Sequence, residues 1–165
     1  MAEPNGRAIA AIAQQRKFEL VSAAASTFSK DVLPRAAALL GVGVAGNEDE
    51  AVGQARAIAT FGSRAVLIKG GHGHGAAAVD ILVSGEGVVR LTASRVDTPH
   101  THGTGCTLSA AIAALLARGE DLEPAVRRAK AYVSAAIDAG RELGVGHGSG
   151  PVDHLYAIRR GPPPV

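Results

Sequence analysis

The 165-residue chain is long enough for one self-sufficient domain, and Lys+Arg 17 against Asp+Glu 15 leave a net charge of only +2. That weak field, with aromatics at 3% and no Trp, excludes the basic stripe and stacking platforms of a nucleic-acid binder. A single cysteine rules out an internal disulfide and fits a reducing cytoplasm; no run nears the roughly 18 apolar residues of a membrane span, and the start at Met1 has no signal-peptide pattern.

In chain order, Asn5 caps a predicted helix over Arg7–Arg16. Phe18–Val21 reads as a strand or a helix end. Pro34 opens a helix through Leu40 that Gly41 ends. Asn47 or Asp49 caps the next, carrying Val52, Ala55, Ile58 and Ala59, with Gly62 closing it. Ala65–Ile68 is a wholly apolar, branched run and predicts a buried strand. It leads into Lys69-Gly70-Gly71-His72-Gly73-His74-Gly75, too glycine-rich for regular structure. Val79–Val83 and Val88–Leu91 read as two strands joined through Ser84–Gly87 in a hairpin.

A second small-residue loop, His100-Thr101-His102-Gly103-Thr104-Gly105, opens an amphipathic helix running to Arg118, with Leu108, Ile112, Leu115 and Leu116 at helical spacing. After Gly119 a further helix starts at Glu123-Pro124 and turns Val126, Ala129, Val133 and Ile137 inward as far as Leu143. Gly144–Pro151 is glycine loop, Val152–Ile158 a short helix, and the prolines after Gly161 a frayed end. The pattern is α/β, with fewer strands than a sheet covered on both faces requires.

Gly103-Thr104-Gly105-Cys106 sits where a helix begins. Glycines there allow close approach to a ligand, and first-turn N–H groups have no partner within the helix. Such donors at the positive end of the dipole suit a phosphate; the other reading is a plain tight turn. Cys106 falls in that turn, where a helix N-terminus favours the thiolate, against the ordinary role of a lone cysteine as a small buried hydrophobe. Lys69 follows a strand's carboxyl end, where open α/β sheets place ligands. It is a candidate phosphate contact or a solvated strand-end lysine. The six histidines lack zinc-ligand spacing, and those beside glycines read as hydrogen bonders near a polar ligand. Asp97 could orient the second loop, hold Mg²⁺ through water, or serve as an ordinary cap.

Four blocks together resemble the hydroxymethylpyrimidine/phosphomethylpyrimidine kinases of the ribokinase-like superfamily. They are Lys69-Gly70-Gly71-His72; Thr101-His102-Gly103-Thr104-Gly105-Cys106 with the run to Ala113; Ala129-Lys130-Ala131-Tyr132-Val133; and Gly146-His147-Gly148-Ser149-Gly150-Pro151-Val152-Asp153-His154. The match runs from about Ala36 to His154; sugar kinases related to this family would carry Asp at Cys106. The resemblance implies a ribokinase-like three-layer αβα sandwich, here its C-terminal, nucleotide-side portion. It divides the chain into a divergent segment 1–33, an ATP-side α/β domain 34–158 and a tail 159–165.

The same resemblance implies ATP-dependent phosphoryl transfer to an aminopyrimidine alcohol and then to its monophosphate, with ATP and Mg²⁺ as cofactors. It makes Gly103, Thr104, Gly105 and Cys106 the catalytic anion hole, with Cys106 as base. Lys69, Gly71, Thr101 and Lys130 fall to the nucleotide. Against the family pattern, residues 1–33 hold no Asp-Pro-Val-Met segment, and Lys30-Asp31-Val32 and Arg35 stand where a Thr-Pro-Asn…Glu motif is expected. Two other readings follow: a non-catalytic nucleotide-binding relative whose sheet edges favour a homodimer or assembly with another chain, and a pyridoxal-type kinase.

Overall fold

The computed structural model describes residue 11 and residues 45–60, 62–70, 75–145 and 147–159. The elements expected over 7–16 (Ala11 excepted), 18–21 and 34–40 lie outside these residues, as do Gly71, His72 and His74. The chain divides into two compact units, Met1–Gly73 with Val79–Arg90 and His74–Ala78 with Leu91–Val165.

In the first unit, helix α1 spans Glu48–Ala59. Of the two predicted caps it uses Asn47, whose backbone is extended and whose Oδ1 accepts the Glu50 N–H at 2.8 Å. Glu50 reaches back to accept the Gly46 N–H at 2.8 Å. Two donors before and within the first turn are thereby satisfied. Strand β1 (Ala65–Ile68) pairs antiparallel with β2 (Ala77–Ser84), Val66 opposite Val83 and Ile68 opposite Ile81. Strand β3 (Gly87–Ser94) follows a two-residue turn, and the order among the described residues is β1-β2-β3; Ala77–Ala78 of β2 and Leu91–Ser94 of β3 belong to the second unit. The hairpin is therefore present, its strands longer than the apolar runs alone indicate. Ala51 and Ala55 of α1 pack with Val66, Ile81 and Val83 in one buried cluster. The expectation for β1 needs correction: only Val66 is buried, while Ala65, Leu67 and Ile68 are half-buried, with Ile68 packed against the cluster.

In the second unit, helix α2 (Thr104–Ala117) packs against α3 (Leu122–Gly140). Ala125, Ala129 and Ala136 of α3 are fully enclosed, with Val126 and Val133 among them; these small side chains let backbones approach closely. The stripe expected on α2 is corrected in part. Leu108 is buried, but Ile112 and Leu115 are only half-buried and Leu116 is exposed. Likewise Ile137 of α3 is half-buried, and the helix stops at Gly140 rather than Leu143.

At Gly140 a side chain would sit 3.1–3.2 Å from Asp153 N, Pro151 O and Val152 Cα. The segment Pro151–Asp153 crosses there, and the Asp153 N–H donates to Ala136 O at 2.9 Å. The parallel bridge of Pro151 to His102 and the Leu155 N–H donated to Asp153 Oδ1 hold this stretch as extended backbone and then a turn, so the predicted helix over Val152–Ile158 is present only as α4, Tyr156–Arg159. Among the described residues no helix is long and apolar enough to cross a membrane.

Candidate functional site

The loop Thr98–Gly103 enters α2 through bonds of its own backbone. Thr98 Oγ1 accepts the His100 N–H at 3.2 Å, and Pro99 O accepts the Thr101 N–H at 3.0 Å. Gly103 is the N-cap, at φ 83° and ψ 0°, with no side-chain cap. A side chain there would be strained by conformation alone. Its carbonyl receives both the N–H (2.9 Å) and the Oγ1–H (2.8 Å) of Thr107, fixing the first turn. Thr104 N–H reaches Thr101 O at 3.4 Å. The N–H groups of Gly105 and Cys106 meet no acceptor among the described residues, and the first turn holds no acidic side chain. The positive end of α2 is therefore uncompensated.

Cys106 is exposed, so the buried-hydrophobe role does not apply. It lines an open hollow of about 440 Å³ with Thr107, Ala110 and Ala111 of α2, Tyr132 of α3 and His154. Tyr132 donates its hydroxyl to His154 O at 3.1 Å and packs near Tyr156, ring centroids 5.9 Å apart. A mostly apolar hollow beside unpaired amide donors can seat an anionic group with an uncharged body attached.

The entrance to the loop is tied down from the far end of the chain. His100 Nδ1 accepts the Gly150 N–H at 3.0 Å, His102 N–H donates to Gly150 O at 3.2 Å, and His102 bridges Pro151 in parallel. Buried Asp153 in turn accepts the Leu155 N–H at 3.0 Å. Gly150 stands in the sequence only as one glycine of a family block, and no local pattern marks its contact with His100, which lies 50 residues away.

Of the remaining candidates, Thr101 is exposed on the loop. Lys130 is buried on α3 and its Nζ donates to Ala78 O at 3.1 Å. In the other unit, Lys69 is exposed directly after β1. Gly70 beside it donates its N–H to Asp80 Oδ1 at 2.9 Å. A Cβ on Gly70 would fall 1.9 Å from Val79 O. Buried Asp80, an acid inside the apolar stretch Ala77–Val83, is a residue the sequence reading missed. Its signal was that an unpartnered carboxylate is not tolerated there, so it had to have a donor. Gly71 lies outside the described residues.

A model of the phosphomethylpyrimidine kinase family matches residues 16–153. The chain belongs to that family. The match begins well before Ala36. The hydroxymethylpyrimidine/phosphomethylpyrimidine kinase of Rhizobium meliloti (strain 1021) is 52% identical over 124 residues, covering 75% of this chain and 47% of the relative. The enzyme of that name from Salmonella typhimurium (strain LT2) is 50% identical over 125 residues, covering 76% and 47%. The chain thus spans about half the length of the curated relatives it matches.

Among solved structures, the pyridoxal kinase from Staphylococcus aureus in complex with ADP superposes with a TM-score of 0.69 at 34% identity, over 77% of this chain and 47% of that one. The Bacillus subtilis pyridoxal kinase, also an ADP complex, gives 0.69 at 27% identity over 94% and 66%. The fold of this phosphomethylpyrimidine kinase family member is therefore α/β and ribokinase-like.

Proposed function

We propose that this chain carries the phosphate-binding side of an ATP-dependent kinase that phosphorylates hydroxymethylpyrimidine and then its monophosphate, as in thiamine biosynthesis. The observation that carries the reading is the pair of unpartnered N–H groups at Gly105 and Cys106, held behind a left-handed Gly103 and beside an exposed thiol. Phosphoryl transfer needs little covalent help from protein; it needs positioning and neutralised charge. In this scheme the substrate's hydroxyl oxygen bonds to the γ-phosphorus as the bond from that phosphorus to the β–γ bridging oxygen breaks. ADP leaves with the electron pair. The Gly105 and Cys106 amides donate to the transferring group's oxygens, and Cys106 Sγ takes the hydroxyl proton.

Lys69 is assigned to the ATP phosphates as a point charge, with Gly71 and Thr101 assigned to the nucleotide from the family resemblance. For Lys130 the nucleotide role rests on resemblance too, while its ammonium holds Ala78 O. Among the described residues no three His, Cys, Asp or Glu side chains converge. Mg²⁺ enters this reading as an ion arriving with ATP, held by phosphate oxygens, water and at most one or two carboxylates. It would supply neutralisation of phosphate charge.

A second reading, a pyridoxal-type alcohol as acceptor, is favoured by the Staphylococcus aureus pyridoxal kinase at 34% identity. The test is incubation of the purified chain with Mg·ATP and each alcohol separately, with product followed by mass spectrometry. Phosphorylated hydroxymethylpyrimidine in excess supports the proposal, and preferential pyridoxal phosphate supports the second reading. ATP binding with no product from either alcohol refutes catalysis by this chain and leaves a nucleotide-binding relative.

A further inference from the structure

The loop that opens α2 is held by a contact that its own sequence does not supply. His100 lies three residues before the N-cap Gly103, and its Nδ1 accepts the Gly150 N–H at 3.0 Å. An Nδ1 that accepts carries no proton, so the neutral ring keeps its proton on Nε2. The fit is close: a Cβ on Gly150 would stand 2.4 Å from Nδ1 and 3.1 Å from both Cγ and Cε1. Gly150 also accepts the His102 N–H, and the adjoining His102–Pro151 bridge extends the join. Three residues further on, Asp153 N–H is fixed to Ala136 O at 2.9 Å. A continuous path therefore runs from α3 through Asp153 and Gly150 to His100 and so to the amides of Gly105 and Cys106.

We propose that His100 is a positioning residue for the Gly103–Cys106 loop, acting through its Nδ1 on Gly150 rather than by touching a ligand. The proposal rests on the phosphate-site reading for its consequence in binding, but the tether itself is a property of the free protein. The glycine at position 150 is then required by the space the imidazole fills. Any residue at 100 that can accept from the Gly150 N–H at the Nδ1 position should serve, and one that cannot should release the loop.

The test uses the full chain in four forms: unaltered, His100→Leu, His100→Asn and Gly150→Ala. Residue-resolved amide hydrogen exchange is measured without ligand, and Mg·ATP affinity by calorimetry. Losing one such bond in a half-buried setting should speed exchange of the Gly150, His102 and Thr107 amides about tenfold. The amides of Val126–Ala129, about two turns and more along α3 from the Ala136–Asp153 tie, should change less than about twofold, as expected of sites outside the path. Gly150→Ala should reproduce this through the clash, and His100→Asn, whose Oδ1 accepts where Nδ1 does, should reverse it. Affinity for Mg·ATP should fall about tenfold in His100→Leu and recover in His100→Asn.

Unchanged exchange at His102 and Thr107 in His100→Leu overturns the proposal, as does failure of His100→Asn to restore it. A rise spread equally over α3 also overturns it, since that marks general loss of stability. If the unaltered chain binds no ATP while the exchange pattern holds, the phosphate-site reading fails and the tether stands.

Discussion

Replacing Gly70 by alanine should destabilise the protein, while the same change at Gly53 should stabilise it. At Gly70 the new Cβ would be 1.9 Å from Val79 O and 2.9 Å from Val79 C. Both are backbone atoms of a paired strand, so neither can swing aside as a side chain would. Relief requires moving Gly70 away from β2, which also stretches its 2.9 Å bond to the buried Asp80 carboxylate. Overpacking typically costs about 1–3 kcal/mol, and a hydrogen bond to a charged group about 1.5–3. A combined loss of about 3 kcal/mol is expected after partial relaxation, since the two terms share one displacement.

Gly53 lies exposed inside α1 with nothing within 4 Å of its would-be Cβ. There alanine removes glycine's conformational cost and should add about 0.5–1 kcal/mol. At about 2–4 °C per kcal/mol for a chain of this size, Gly70→Ala should lower Tm by roughly 6–12 °C. Gly53→Ala should raise it by about 1–4 °C on the same scale. Urea titration followed by circular dichroism, with thermal scans as a check, reads both. A Gly70→Ala protein no less stable than Gly53→Ala would refute the close approach of residue 70 to β2.

Further outcomes are expected. Asn47→Ala removes the cap of α1 and should lower stability by about 1 kcal/mol, seen as a lower urea midpoint at constant slope. Arg90 donates two hydrogen bonds to Glu48, at 2.7 and 2.9 Å, and holds its carboxyl below the usual carboxylate range. Because the folded state depresses that group, its contribution is present above the unfolded value of 4.5 and fades as pH falls through the folded one. Glu48→Gln should therefore flatten the acid limb of a stability–pH profile slightly, and an unaltered limb would contradict the pairing. If the chain turns over substrate, Cys106→Ala should cut the rate about 100-fold or more, as loss of a general base does. ATP affinity should stay within about threefold, since the amide donors remain; intact turnover would remove Cys106 from the role of base.

Local chemistry was what the sequence expressed openly. Asn47 before a polar first turn announced the cap of α1, Ser84–Gly87 announced the hairpin, and Gly103-Thr104-Gly105 announced a helix start. The misreadings came where distant contacts decided the outcome. Apolar spacing on α2 counted Leu115 and Leu116 as core, but burial depends on what lies opposite, and Leu116 stays exposed. Val152–Ile158 has helical composition, yet Pro151 is bridged to His102 and the Asp153 carboxylate takes the Leu155 N–H in a turn, and a helix forms only from Tyr156. The contact of Gly150 with His100, and the one between Gly70 and Asp80, join residues whose pairing no local pattern encodes. Resemblance to the family singled out Lys130, whereas its observed partner, Ala78 O, follows from the packing of α3.

The central claim concerns the amides of Gly105 and Cys106, and a ¹⁵N-resolved titration of the unaltered chain with Mg·ATP addresses them directly. Hydrogen bonding to a phosphate should move both resonances downfield in a saturable way, with Thr107 following and the amides of Asn47 and Glu50 unmoved. Saturable binding that leaves Gly105 and Cys106 in place, or no binding at all, would contradict the account.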